Sequence, residues 1–530
     1  MITPLTPIDF KRRAAKLYPN KIAVIDEDLR LTYREFAERT NRLSNGLTEL
    51  GVRAGTKVAI VAPNTHEMLE SFYGVPQLGA VLVPINYRLQ SQEVEYIVNH
   101  SDAEILIVDA EYAHLIEPIR GSIPNIRHTV VIDSGVHSHL TDAIDYETLL
   151  AEADATTPNV VIDENQPITI NYTSGTTSKP KGVMLTHRNM YVNAADFLLH
   201  LHITHDDVYL HTLPMFHANG WGGVWALTGV GGTHICLRKV EPARVLSLYQ
   251  EDHITVACGA PTVLNMLLQA PNIEDARITW PTRIATAGSP PPAAVIERVQ
   301  RLLNMDVIHV YGLTETSPFI TWCEWRSEFN DLPHDDQAAL KACQGVEMLF
   351  NGETTVVRED GTEVAWDSRE IGEIVTRGNV VMDGYYKQPE ETAKAMRDDW
   401  FHTGDLAVIH PNGYIEIVDR LKDVIISGGE NVSSIEVEGA LYKHPAIADV
   451  AVVARPDEKW GEVPVAFVVL KPGQSTTADD LNNFCRDRLA HFKTPKEYRF
   501  VHELPRTATG KLQKFKIREL VWEGHEKRVQ

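Results

Sequence analysis

Between residue 57 and about residue 315 the chain alternates short apolar, β-prone runs with amphipathic stretches. KVAIVAP (57–63) is followed by the helical pattern THEMLESFYGVPQLG, and AVLVPIN by RLQSQEVEYIVNH. PITINY (167–172), DVYLHTLP, ITVACGAP, RIATAGSP and DVIHVYG recur among helical stretches such as EPARVLSLYQEDH and AAVIERVQRLLN. Strand and helix alternating at this spacing predict parallel sheets with helices on their faces. Folds of that kind collect ligands where loops leave the carboxyl ends of strands. Around 350–420 the pattern changes to short, Gly-punctuated strands such as GEIVTRGN, which predict a small β-barrel-like subdomain. After Asp419 comes a compact α+β pattern of about a hundred residues, a domain-sized piece. The expected fold is therefore α/β, with a large domain of doubly wound sheets over residues 1–419 and a small α+β domain over 420–530. Internal repeats of the solenoid or propeller kind are not evident.

Composition narrows the class. The 530 residues are 43% apolar and carry a formal charge of −22, which excludes a disordered or fibrous chain and disfavours nucleic acid as a partner. The charge is uneven: residues 420–530 hold 18 basic against 16 acidic side chains, which leaves −24 for the preceding part. Within the tail, residues 493–518 carry eight Lys or Arg against two Glu. Cys236, Cys258, Cys323, Cys343 and Cys485 are odd in number and form no CxxC pair, which argues for a reducing compartment. The N-terminus lacks the apolar core of a secretory signal, and no apolar run reaches the roughly 18 residues of a membrane span. The C-terminal Val-Gln is neither a peroxisomal nor a retention address. A cytoplasmic protein without stable membrane anchoring is expected.

The most informative segment is YTSGTTSKPKGV (172–183), directly after the strand pattern PITINY. Thr173, Ser174, Thr176, Thr177 and Ser178 surround Gly175, Gly182, Lys179 and Lys181, so backbone N–H groups, hydroxyls and cations can enclose a phosphate. The spacing is not that of a Walker A loop, because neither Lys-Ser nor Lys-Thr follows the second glycine.

This segment, with YGLTETSP (311–318), TGDL (403–406), DRLKDVIISGGEN (419–431) and PRTATGK (505–511), resembles the AMP-forming acyl- and aryl-CoA synthetases of the adenylate-forming superfamily. The motifs stand in the family's order and the likeness runs nearly end to end. One departure is Ser178, where most such enzymes have Gly. The resemblance implies an acid–thiol ligase that uses ATP, Mg²⁺ and CoA. It places the nucleotide near Thr173, Ser174, Gly175, Thr176, Thr177, Lys181, Gly288, His309, Val310, Tyr311, Gly312 and Thr314. Asp405 and Arg420 become the ribose ligands, and a carboxylate suits a cis-diol because it accepts two hydrogen bonds. Thr173 and Glu315 become the metal ligands, in keeping with the preference of Mg²⁺ for a few oxygen donors plus phosphate. Thr314 can donate to the α-phosphate, and Lys511 looks like the lysine that bridges substrate carboxylate and α-phosphate in the transition state. Lys422 matches the hinge about which a mobile C-terminal domain turns. Ser427, Gly428 and Gly429 then border the channel for the CoA thiol.

The acid is less sharply encoded. PMFHANGW (214–221) resembles the family stretch that closes over the carboxylate, with His217 and Trp221 facing substrate and Ala260 and Gly288 as further small walls. Short- to medium-chain or aromatic acids fit this pattern, with medium-chain fatty acids preferred. The alternatives are an aryl or short branched acid, an acceptor other than CoA, or a nucleotide-binding regulator without catalysis, against which Lys511 and Glu315 both speak. His200, His202, His205, His211 and His217 lack acidic or Cys partners at ligand spacing, which disfavours a metal cluster. By analogy with the family a homodimer is expected, and the basic stretch 493–518 reads as a positively charged lid for ATP and CoA.

Overall fold

The computed structural model describes residues 2–136, 138–173, 179–276, 278–288, 293–428, 430–457, 459–506 and 512–522. The chain forms two compact units, Met1–Thr354 with Thr376–Phe401 and Thr355–Val375 with His402–Gln530.

Among the described residues the first unit contains an eight-stranded and a nine-stranded sheet. In the former, Lys57–Val61 lies parallel between Val81–Pro84 and Ala103–Asp109. Pro167–Thr173 joins the same sheet beside Val81–Pro84, and Lys181–Thr186 returns antiparallel to it. In the latter, Val208–Leu210, Val256–Cys258, Thr282–Thr286 and Met305–Gly312 run parallel, and Phe319–Trp322 turns back along Met305–Gly312. The near-continuous apolar runs Val58–Val61 and Leu106–Val108 are buried, as strands covered by helices on both faces require. The edge-on packing of Phe72 and Tyr73 on Trp225, with centroids 5.5 and 5.2 Å apart, anchors the core.

Helix starts follow local chemistry. Thr32 and Glu35 form a capping box for Tyr33–Glu49, and Thr186 with Asn189 does the same for His187–His200. The Asn189 amide also donates to the carbonyls of Asn379 and Val381 at 2.6 and 3.0 Å. That bond ties the hairpin bearing the hydroxyl-rich loop to the segment after Thr376.

In the second unit Ile447–Asp457 and Gly461–Leu470 pair antiparallel, and Glu497–Phe500 lies parallel to the latter. Alternation places Val450, Val452 and Ala454 in one apolar cluster and Ala451 and Val453 in another, so both faces of this sheet are covered.

Within the second unit, residues 402–419 group with 355–375. Leu406 pairs with Asp419 and Ile409 with Ile415 across a hairpin, and the Gly404 N–H donates to Glu373 at 3.0 Å. These bonds hold 402–419 with 355–375, so the short-strand region is shared between units rather than standing apart. No helix of the described residues is long and apolar enough to cross a membrane.

Candidate active site

In the first unit, the strand pairing that sets Thr173 opposite Lys181 frames the hydroxyl-rich loop. Ser174, Gly175, Thr176 and Thr177 lie outside the described residues. Thr314–Thr316 forms one 3-10 turn after the strand Met305–Gly312. The Leu313 N–H donates to Thr316 Oγ1 at 2.9 Å, and Thr316 Oγ1 donates to the Pro318 carbonyl at 2.7 Å. This closed ring of bonds fixes Thr314 and Glu315 just beyond the carboxyl end of a parallel strand. The Glu315 carbonyl accepts the Met382 N–H at 2.8 Å, and its Oε1 accepts the Tyr385 hydroxyl at 2.8 Å. Lys181 Nζ lies 4.7 Å from the centroid of the Tyr385 ring and 2.6 Å from Glu391 Oε2. Hydrogen bonds from Lys181 and then Lys394 pull the Glu391 carboxyl down to about 2, so it is ionised at any physiological pH. Val310 and Tyr311 are buried at the end of the same strand, whereas Gly288 is exposed. The His309 ring is committed elsewhere: its Nδ1 meets the Ala342 carbonyl at 2.8 Å, and burial pushes its pKa down to about 4.

The segment assigned to the acid has an unusual backbone. Ala218, Asn219, Gly220, Trp221 and Gly222 have φ of 37, 50, 56, 56 and 88°, a left-handed turn. Asn and Gly enter that region readily, but left-handed helical geometry costs other L-residues about 1–2 kcal/mol each. Ala218 and Trp221 are therefore held there by their surroundings. Trp221 is 5% exposed and packs edge-on against Phe319 with centroids 5.5 Å apart. His217 precedes the turn, half-buried, and Ala260 precedes the helix Pro261–Leu268. The other histidines of this region point to separate partners: His200 packs at a tilt against Trp322, His205 stacks on Tyr18, and His211 bonds to His234.

In the second unit the hairpin register sets Asp405 directly opposite Arg420, and Arg420 Nε lies 3.2 Å from Asp405 Oδ1. Two motifs distant along the chain thus meet side by side. Asp419 accepts the Arg420 N–H at 2.7 Å and the Ser434 hydroxyl at 3.0 Å, joining the hinge motif to the helix Ser434–Tyr442. Burial, then the neighbouring Arg420, pushes Lys422 down to about 8. Its folded-state pKa is below its unfolded value, so keeping it charged opposes folding below pH 8 and that penalty fades as pH rises towards 10.5. Lys422→Met should accordingly flatten the rise in melting temperature between pH 8 and 10; a slope equal to the parent's would show that Lys422 is not its source. Ser427 is buried and the Gly428 N–H donates to the Trp460 carbonyl at 2.7 Å. Gly429 and Lys511 lie outside the described residues.

The basic stretch 493–518 is laced with ion pairs of its own unit. Lys493 pairs with Glu436, Arg499 with Glu497, Arg506 with Asp449, Lys514 with Glu438 and Arg518 with Asp423. Among the described residues most of this positive charge is already matched by carboxylates of the same unit, and apart from Glu497 these carboxylates lie far away in sequence.

Residues 11–386 match the AMP-binding enzyme family model, and residues 436–511 match the AMP-binding enzyme C-terminal domain. The chain belongs to the AMP-binding enzyme family. It is 42% identical to 2-methylpropanoate–CoA ligase CCL4 of Humulus lupulus, over 98% of this chain and 95% of that one. It is 41% identical to 4-hydroxybutyrate–CoA ligase 2 of Metallosphaera sedula, over 97% and 94%. The anthranilate CoA ligase AuaEII, solved with anthranoyl-AMP, superposes with a TM-score of 0.88 at 28% identity and 98% coverage of both chains. The chain is an acid–CoA ligase, with ATP and CoA as cosubstrates.

Two residues that hold candidate site residues of this AMP-binding enzyme escaped the sequence reading. Tyr385 and Glu391 lie in GYYKQPEETAK, which carries no phosphate-loop signature, yet they hold Glu315 and Lys181. A Gly-Tyr strand followed by Pro-Glu-Glu was the available signal, since Pro389 opens the helix whose first turn presents Glu391. Tyr385→Phe removes a hydrogen bond to a carboxylate, an interaction of about 1.5–3 kcal/mol. About tenfold slower ATP–pyrophosphate exchange is expected at subsaturating MgATP, with the KM for the acid little changed. An equal rise in both KM values would overturn this role.

Proposed function

We propose that the chain activates a short carboxylic acid as its acyl-adenylate, releases pyrophosphate, and transfers the acyl group to CoA. The carrying observation is the set Glu315, Tyr385, Lys181 and Glu391, which presents a carboxylate and a cation together beside the turn that holds Thr314. Adenylation brings a carboxylate against a phosphate ester, so repulsion between anions must be offset. Lys181 supplies charge to the phosphates, where they replace Glu391 as its partner. Thr314 donates to the α-phosphate, and Asp405 with Arg420 engages the ribose. The Glu315 carboxylate and Thr173 hydroxyl are hard oxygen donors that fit Mg²⁺, which when bound offsets phosphate charge. Lys511 bridges the acid and the α-phosphate, and the half-buried His217 faces the reacting carboxylate.

The short chain length is supported by Trp221, buried on Phe319 in a turn that the surroundings hold rigidly, and by ligases of 2-methylpropanoate and 4-hydroxybutyrate among the relatives. Medium-chain acids remain the next class. A cytoplasmic setting agrees with five cysteines that are all free thiols. The test is CoA-dependent AMP release across C2–C16 acids, benzoate and cinnamate. Highest kcat/KM at C3–C5 supports the reading, and turnover confined to long chains would sink the preference for short acids.

A further inference from the structure

Three buried asparagines meet behind the left-handed turn. Asn219, within the turn, donates through Nδ2 to Thr169 Oγ1 at 3.0 Å, and Asn171 donates to the same oxygen at 2.9 Å. Asn193, on the helix His187–His200, sits against the turn at Gly222: a Cβ there would lie 2.2 Å from Asn193 Oδ1. Only glycine leaves room for that amide, and Gly222 also has the positive φ that ends the turn.

The amides are under-satisfied. Asn193 has 0% exposure, and neither its Oδ1 nor its Nδ2 has a hydrogen-bond partner. The Oδ1 atoms of Asn219 and Asn171 are likewise buried without a partner. Rotating the Asn193 amide does not help, since both ends are orphaned whichever way it faces. An unmet buried polar atom costs about 1–3 kcal/mol, so four in one neighbourhood mark a place where a polar group is meant to enter. The group must both donate and accept, because one NH₂ and three amide oxygens are left without partners. A hydroxyl does both. The amides are neutral, so the group need not carry charge.

We propose that Asn193 is a specificity-determining residue that receives the distal hydroxyl of a short ω-hydroxy acid, with Asn219 and Asn171 completing the polar end of the acyl site. This rests on the ligase reading and on the assignment of His217 to Trp221 to the acid. The preferred substrate class is then ω-hydroxyalkanoates of about four carbons rather than plain fatty acids.

The test compares 4-hydroxybutyrate with pentanoate, which has the same number of heavy atoms with methyl in place of hydroxyl. CoA-dependent AMP release by the full chain should give a kcat/KM ratio about ten- to hundred-fold in favour of the hydroxy acid, since a site built around a hydroxyl rejects the analogue lacking it. Asn193→Leu should lower that ratio to one or below, and Asn193→Ser should retain part of it. A parent ratio at or below one overturns the inference even if neither variant folds. A ratio that survives Asn193→Leu overturns it as well, and leaves the asparagines as hosts of buried water. Turnover of neither acid nor any other in the panel would instead overturn the ligase reading, and this inference with it.

Discussion

Lys511→Ala is expected to abolish acyl-adenylate formation while sparing thioester formation from supplied acyl-adenylate. The lysine's charge matters most where carboxylate and α-phosphate share a developing bond, since only interactions stronger in the transition state than in the ground state raise the rate. Loss of one such preorganised group costs about 10²–10³ in rate. In the second half-reaction the phosphate is the leaving group and the nucleophile is a thiol, so the bridging role proposed for the lysine no longer applies. The described residues on either side of it are anchored. Arg506 pairs with Asp449 at 2.7 Å upstream, and Lys514 bonds Ser434 and Glu438 at 2.6 and 2.7 Å downstream. ATP–pyrophosphate exchange with an active acid reads the first step, and CoA consumption with synthetic acyl-adenylate reads the second. Equal losses in both would refute a division of labour between two arrangements of the C-terminal unit.

The α/β class and the alternation of strands and helices along the chain were legible because covered parallel strands need continuous apolar runs and amphipathic helices need their own period, and both patterns are local. Asp405 and Arg420 could be named from their motifs, and the hairpin register explains why the two belong together. What the sequence could not reveal depends on contacts between distant segments. Glu391 meets Lys181 across 210 positions and Tyr385 meets Glu315 across 70, and neither pair leaves a periodic trace. The ion pairing of the basic stretch 493–518 is hidden for the same reason: its carboxylate partners Glu436, Glu438, Asp423 and Asp449 are supplied by earlier segments. A hairpin and the Glu373 contact bind 402–419 to 355–375, a grouping between separated segments that no local pattern marks. The left-handed turn carries Asn-Gly as a local signal, but Ala218 and Trp221 on either side point the other way.

Gly312→Ala should have the largest effect of any single methyl group in the first unit. A Cβ at this position would come 1.7 Å from the Pro318 carbonyl oxygen, 2.7 Å from its carbon and 2.9 Å from Phe319 Cα. These are backbone atoms of the strand paired with Met305–Gly312, so no side-chain rotation relieves the overlap. The two strands must part by more than an ångström. Thr314 and Glu315 follow within three residues, and the bonds that fix them are the Thr316–Pro318 contact, Met382 N–H and Tyr385 hydroxyl. Separation therefore moves the proposed α-phosphate donor and metal ligand together. Displacement of that size costs about 10² in rate when reacting groups are preorganised. The expected result is at least a hundred-fold loss of ATP–pyrophosphate exchange with a lowered melting temperature. Circular dichroism separates the causes: a folded variant with lost exchange isolates the geometry of Thr314 and Glu315, whereas a variant with near-parental exchange and melting temperature would show that the turn does not depend on close strand approach.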